Sequence, residues 1–283
     1  MQSNTFFFKR ANFFDYNRSF SAKKSIFAPN MSEKQNIWKN IMDMAMRLPG
    51  VQVDRSQFIR DTLKRFCTKQ QLELAVSERP DCVISEGVLH EIANSVISHH
   101  VLGVTTISAA AGLPGGWGAW VALPADLGQY YWHCFVLAQK LAYLYGYPDL
   151  RQTDGELART LTIFVGVMMG VAKANEAINA LARKVVEQTV QQMANDTMQR
   201  AAWFQVIQSI AQAIGVKLSK KKVATIASKL IPVAGAAISG GFSYMTFKKG
   251  ANRLNHQLKN NLAFFQSTKS EESQIVFDEY EEV

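Results

Sequence analysis

Residues 85–147, SEGVLHEIANSVISHHVLGVTTISAAAGLPGGWGAWVALPADLGQYYWHCFVLAQKLAYLYGY, decide the fold class. Ser85 opens a helix whose apolar positions Val88, Leu89, Ile92, Val96 and Ile97 recur at helical spacing, and the pattern runs to Gly112 and Pro114. A second helix is expected from near Pro124 to Gly146, where a glycine followed by Pro148 stops it. The glycines and proline between them are turn formers.

Working outward, the same reading repeats. Ile37, Ile41, Met44 and Leu48 mark one apolar face that ends at Pro49-Gly50, and Ser32-Glu33-Lys34-Gln35 has the pattern of a capping box at its start. Asp54 is placed to cap a helix carrying Phe58, Ile59, Leu63 and Phe66. Residues 156–213 predict one or two long helices, with Ile178, Leu181, Val185, Thr189 and Met193 in register, and a last helical pair is expected over roughly 219–265. Period-two alternation is almost absent, and no repeat of 20–50 residues is seen. The expectation is therefore an all-α protein: one compact multi-helix domain over 32–265 with glycine-rich apolar helices and no significant sheet.

The flanks are set apart by composition. Residues 1–31 are Phe-rich and basic, with no apolar run long enough for a signal peptide. They read as a disordered segment, a transit peptide or an over-long start before Met31. Residues 266–283 read as an acidic flexible tail.

The chain has 283 residues, a net charge of +8, 48% apolar residues and only 19% charged ones. This excludes wholesale disorder and a disulfide-stapled miniprotein. A mean hydropathy of −0.06 argues against a polytopic transporter. Cys67, Cys82 and Cys134 form no CxxC and read as reduced thiols in the cytoplasm. The charge is unevenly placed: +5 over 1–40, −2 over 41–196, +11 over 197–270 with no Asp or Glu, and −6 over 271–283. An acid-free stretch of that length calls for a functional cause.

Three apolar, glycine-marked segments stand beside this pattern. Between Glu91 and Asp149 the formal charges are Asp126 and Lys140 alone. Leu161–Ala172 is uncharged and holds the GxxxG of Gly166 and Gly170; Leu230–Phe247 is uncharged and holds Gly235, Gly240 and Gly241. Two readings stay open: close helix packing in a protein core, where small residues let backbones approach, or a membrane-dipping hairpin or interfacial helix. The last segment is bracketed by Lys220, Lys221, Lys222 and Lys229 on one side and by Lys248, Lys249 and Arg253 on the other. Near an anionic leaflet each such cation contributes about 1 kcal/mol. These seven residues are the candidate membrane contacts, and the five glycines the candidate packing positions. The expected partner is an anionic membrane surface, with a membrane-protein complex as an accessory possibility and the location cytoplasmic and peripheral or partly inserted. Nucleic acid is not expected, because the cations flank an apolar block and no recognition motif is present. Oligomeric state is not legible.

One constellation suggests chemistry. Asp126, His133 and Lys140 lie seven residues apart on one predicted helix, with Tyr130 between the first two, so they share a face. A carboxylate, an imidazole and an amine in an apolar setting suit a proton relay or polar pocket. The plainer reading is a dipole-complementing Asp126, an interior His133 and a snorkelling Lys140. His90, His99 and His100 complete no metal-ligand pattern, and no nucleotide or hydrolase motif occurs; no cofactor or metal is expected.

The stretch Gly112–Tyr147, GLPGGWGAWVALPADLGQYYWHCFVLAQKLAYLYGY, resembles the central block of the EcsC family: a glycine-rich stretch, an Ala-Asp element at Pro124-Ala125-Asp126, and a helix ending in Ala142-Tyr143-Leu144-Tyr145-Gly146. Lys229–Gly241, KLIPVAGAAISGG, resembles that family's second block, an Ile-Pro-x-x-Gly stretch leading into a small-residue helix. The similarity covers about residues 50–265. It implies a bacterial, mainly helical protein without a settled activity, named for a gene beside a secretion-linked ABC transporter and supposed to associate with membranes. No catalytic residues follow from it. The alternatives to a surface-bound accessory protein are an enzyme with a polar pocket at Asp126, His133 and Lys140, and a pore-forming or toxin-like protein.

Overall fold

The computed structural model describes residues 31–112, 118–151, 156–190, 197–228, 241, 244–262 and 265–266. All regular structure among them is helical. We number the helices α1 (Met31–Met46), α2 (Arg55–Leu63), α3 (Lys69–Ser77), α4 (Glu86–Gly112), α5 (Gly118–Leu144), α6 (Glu156–Met168), α7 (Ala172–Val190), α8 (Thr197–Ser228) and α9 (244–262), with a 3-10 turn at Pro80–Cys82.

The centre of the fold is α5. It packs most extensively on α4, and also on α1, α2 and α6. From Tyr131 to Tyr147 nearly every side chain is buried, including Cys134, Phe135, Leu137, Leu141 and Leu144. A helix apolar all round is an interior helix, which explains why so few charges occur here. Leu161, Ile163, Phe164, Val165 and Val167 of α6 are likewise buried. The stretches 131–147 and 161–168 of the apolar segments are thus covered by protein, whereas Leu102 of α4 is exposed.

The α1 face is rotated from the sequence expectation. Trp38, Ile41, Met42 and Ala45 are buried, while Ile37 and Met44 are only partly covered. Trp38 meets Tyr131 and Phe135 edge-on and donates its indole N–H to Thr162 Oγ1 at 3.1 Å. Large aromatic area and a satisfied N–H together fix this face inward. Asp54 does cap α2, its carboxylate accepting the Gln57 N–H at 2.8 Å. The α3 start has a capping box, Thr68 with Gln71.

Two helix ends close in the same way. Tyr147 N–H reaches the Ala142 carbonyl at 3.0 Å and Gly146 N–H the Tyr143 carbonyl at 3.3 Å, with Gly146 at φ +88°. At the end of α6, Val171 N–H reaches Gly166 and Gly170 N–H reaches Val167, both at 2.9 Å, with Gly170 at φ +67°. These are Schellman closures, and the left-handed position needs glycine.

Element boundaries differ from expectation in three places. Helix α5 starts at Gly118, so Pro124 lies inside it at the loss of one backbone hydrogen bond. Residues 156–213 break at Gly170, giving α6 and α7 before α8 begins. Of the helical pair expected over 219–265, the described residues show the end of a continuous α8 to Ser228 and α9 from 244; residues 229–240 lie outside them.

Arg55 ties several ends together. Its guanidinium, buried, donates to the carbonyls of Val76, Glu78 and Tyr147. Gln139, fully buried, accepts from Val53 N–H at 3.0 Å and donates to Val51 O at 2.7 Å, clamping the segment before α2 onto α5.

Candidate functional site

The α4–α5 pairing brings His100 opposite α5. His100 is 2% exposed and His133 8%. Their Nδ1 atoms are 3.0 Å apart, and Lys140 Nζ stands 3.4 Å from His100 Nε2. An ammonium can only donate, so a charged Lys140 requires His100 Nε2 to accept; the His100 proton then sits on Nδ1 and is donated to His133 Nδ1. The three side chains form one hydrogen-bonded row across two helices.

Space for the row is made by Gly103. A Cβ there would lie 2.6 Å from His133 Cε1, so any larger residue displaces the imidazole. Burial holds both imidazoles in the neutral form: His100 is pushed down to about 2 by burial and then by the Lys140 charge, and His133 to about 4 by burial and then by His99 and Lys140. Burial also lowers the Lys140 ammonium from its ordinary value.

Lys140 opens onto a pocket of about 500 Å³. Phe58, Val53 and Val96 supply apolar wall, and the Lys140 Nζ stands 5.8 Å above the Phe58 ring. Asp54 and Asp61 also line it, but each carboxylate is engaged: Asp54 with Gln57 N–H and Arg151, Asp61 with Lys64 at 3.3 Å.

Of the predicted stripe, His133 and Lys140 therefore join the same row through His100. Tyr130 does not; its ring packs against Tyr131 and Phe247 at 5.2 and 5.6 Å, and burial pushes its phenol up. The Asp126 side chain lies outside the described residues. His100 is the member that sequence reading treated only as a failed metal ligand. A signal for it exists: His100 and His133 stand 15 and 18 residues on either side of Gly115, near-symmetric about the breaker of a helical hairpin. Among the described residues no group of His, Cys, Asp and Glu suited to a metal ion occurs.

The second site is a groove of about 850 Å³ where the end of α6 and the start of α7 face α9. Lys248, Lys249, Arg253 and His256 project along it from successive turns of α9, and among the described residues its lining contains no carboxylate. Tyr244, 42% exposed, and Met245, 67% exposed, form an apolar lip. Lys248 Nζ is held 2.9 Å from Tyr244 Oη. Arg253 Nη1 donates to Met168 O at 3.4 Å, while Lys217 donates to Met169 O and Gly170 O at 2.6 and 2.9 Å. These two cations satisfy the carbonyl end of α6, where the helix dipole is negative.

The remaining basic candidates are placed less fully. Lys220, Lys221 and Lys222 belong to α8, but their side chains lie outside the described residues, as does Lys229 altogether. Among the glycines, Gly166 is a close-approach position, since a Cβ there would come within 2.7 Å of both Ala174 and Ile210. Gly170 serves the turn instead. Among the described residues nothing lies within 4 Å of a Cβ built on Gly241, which is exposed; Gly235 and Gly240 lie outside the described residues. Among the described residues no helix is long and apolar enough to cross a membrane.

Compared with known proteins, the chain matches no family model, no curated sequence and no solved structure at a significant level.

Proposed function

We propose that this protein works at an anionic membrane surface, on the cytoplasmic side, as a peripheral accessory protein that holds acidic lipid headgroups in the α6–α9 groove. The observation that carries the reading is the combination in one groove of Lys248, Lys249 and Arg253, no carboxylate among the described lining residues, and an exposed Tyr244–Met245 lip. Lysines give long-range attraction to phosphate, the lip gives apolar area to the headgroup–acyl boundary, and a tyrosine suits that boundary because one end is apolar and the other polar. The acid-free run over 197–270 extends the same positive field along the chain, and the resemblance of 112–147 and 229–241 to the EcsC family points the same way.

Flotation with phosphatidylglycerol vesicles tests it. The protein is expected to float at low salt, and Lys248→Gln/Lys249→Gln to bind about 30-fold more weakly, from about 1 kcal/mol per lysine. Unchanged binding by the double variant would remove the groove from the account. Failure of the wild-type protein to float would remove the function.

A further inference from the structure

We infer that Lys140 is a nucleophilic amine whose pocket takes a small, uncharged, hydroxylated aldehyde or ketone and joins it as an imine. The inference is independent of membrane binding and rests on the α2–α4–α5 pocket. Three observations carry it.

First, the amine is at the wall of a cavity of about 500 Å³, half-buried and reachable from that cavity. Second, the carboxylates that share the cavity are engaged with other cations, Asp54 with Arg151 and Asp61 with Lys64, and among the described residues Lys140 forms no ion pair. An amine placed half-buried without a counter-ion loses its proton more readily than a surface lysine. Third, its nearest polar partner is an acceptor on the buried side. His100 Nε2, at 3.4 Å, takes one N–H of the neutral amine, so that the nitrogen lone pair is left for the cavity. His133 holds His100 in the required tautomer from behind, at 3.0 Å. His100 is a positioning residue, not the proton acceptor, since burial keeps it neutral down to about 2.

The ligand class follows from the wall. Gln57, Thr62 and Ser95 offer neutral hydrogen-bonding groups suited to hydroxyls, and Phe58 and Val96 offer apolar contact. Apart from Lys140 itself the described lining residues include no Lys or Arg to hold a phosphate or carboxylate. In the step, the Lys140 nitrogen bonds to the carbonyl carbon as the C=O electron pair moves to oxygen. Oxygen and nitrogen exchange protons through pocket water, and the carbinolamine loses one water as C=N forms. Nothing is oxidised or reduced.

The experiment incubates the full chain with glycolaldehyde and cyanoborohydride, which reduces any imine to a stable secondary amine, and reads each lysine by peptide mapping. At pH 7 Lys140 is expected to be labelled several-fold faster than the exposed Lys64 and Lys248, because more of its amine is free of the proton. That advantage should vanish in urea, where the pocket is lost. The labelling pH profile of Lys140 should lie to the acid side of the surface lysines. It is set against Asp54 and Asp61 from α2, His99 and His100 from α4, and His133 from α5 itself. His100→Asn should move the profile toward theirs, which a merely structural role would not do. Labelling of Lys140 in the folded wild-type protein no faster than Lys64 overturns the proposal, whether or not the variant folds. So does an unchanged rate in urea.

Discussion

At the scale of single residues, the fold depends on a few buried polar groups whose partners are backbone atoms. Arg55 carries the largest consequence, because its buried guanidinium serves the carbonyls of Val76, Glu78 and Tyr147 at once. Removing it leaves buried acceptors unpaired, so Arg55→Met is expected to lower unfolding free energy by about 3 kcal/mol in a urea titration. A change below about 1 kcal/mol would mean that water replaces the guanidinium. Gly103 makes a sharper test of the imidazole row. Gly103→Ala should cost about 1–3 kcal/mol by driving a methyl into His133, and adding His133→Ser should restore part of it. Additive losses in the double variant would mean that the two positions do not touch. What the sequence showed at this scale was what local chemistry dictates: Asp54 before an apolar helix, and glycines at helix ends. His100 was passed over because its meaning depends on a partner on another helix, and nothing in the residues around it states the α4–α5 register.

At the scale of elements, Gly170 and Gly87 set opposite expectations for the same substitution. Gly170 sits at φ +67° with Arg253 Nη1 3.1 Å from where a Cβ would be, so Gly170→Ala should destabilise by about 1–2 kcal/mol. Gly87, exposed in the first turn of α4 with none of the described residues near its Cβ, should gain up to about 1 kcal/mol from the same change. Thermal melts of the pair give the contrast directly. The pH dependence has a defined sign. In the unfolded chain both imidazoles titrate near 6.5; in the fold they stay neutral until about 4 for His133 and about 2 for His100. The unfolded chain therefore binds more protons below pH 6.5. Stability is whole above that pH and falls as pH drops toward 4, by up to about 1.4 kcal/mol per pH unit for each imidazole. Melting temperatures at pH 7 and pH 5 check it: the difference should shrink in His100→Leu, and an equal difference would place the titration elsewhere. The helices themselves were legible because period and breakers are local. The α6–α7 break was not, because a GxxxG reads equally as packing and as a turn. Gly166 does the first and Gly170 the second.

At the scale of the whole molecule, the all-α architecture explains the low charge fraction without reference to lipid over 131–147 and 161–168, which α5 and α6 bury within protein. The remaining asymmetry is the +11 block over 197–270 set against the −6 of 271–283. If the acidic residues compete with lipid for the cations, deleting 271–283 should tighten vesicle binding, and weaker binding in the deletion would refute that competition. The groove on α9 was half legible: Lys248, Lys249 and Arg253 stood out by charge, but Val167 and Asn175, from α6 and α7, join it only through folding. The measurement that bears most directly on a membrane-surface role is co-sedimentation of the full chain with phosphatidylglycerol vesicles and, in parallel, phosphatidylcholine vesicles, from about 50 to 500 mM salt, over which the screening length falls severalfold. The account predicts binding to the anionic vesicles that fades as salt rises, with little binding to the zwitterionic ones. Equal binding to both, or none to either at low salt, would contradict it.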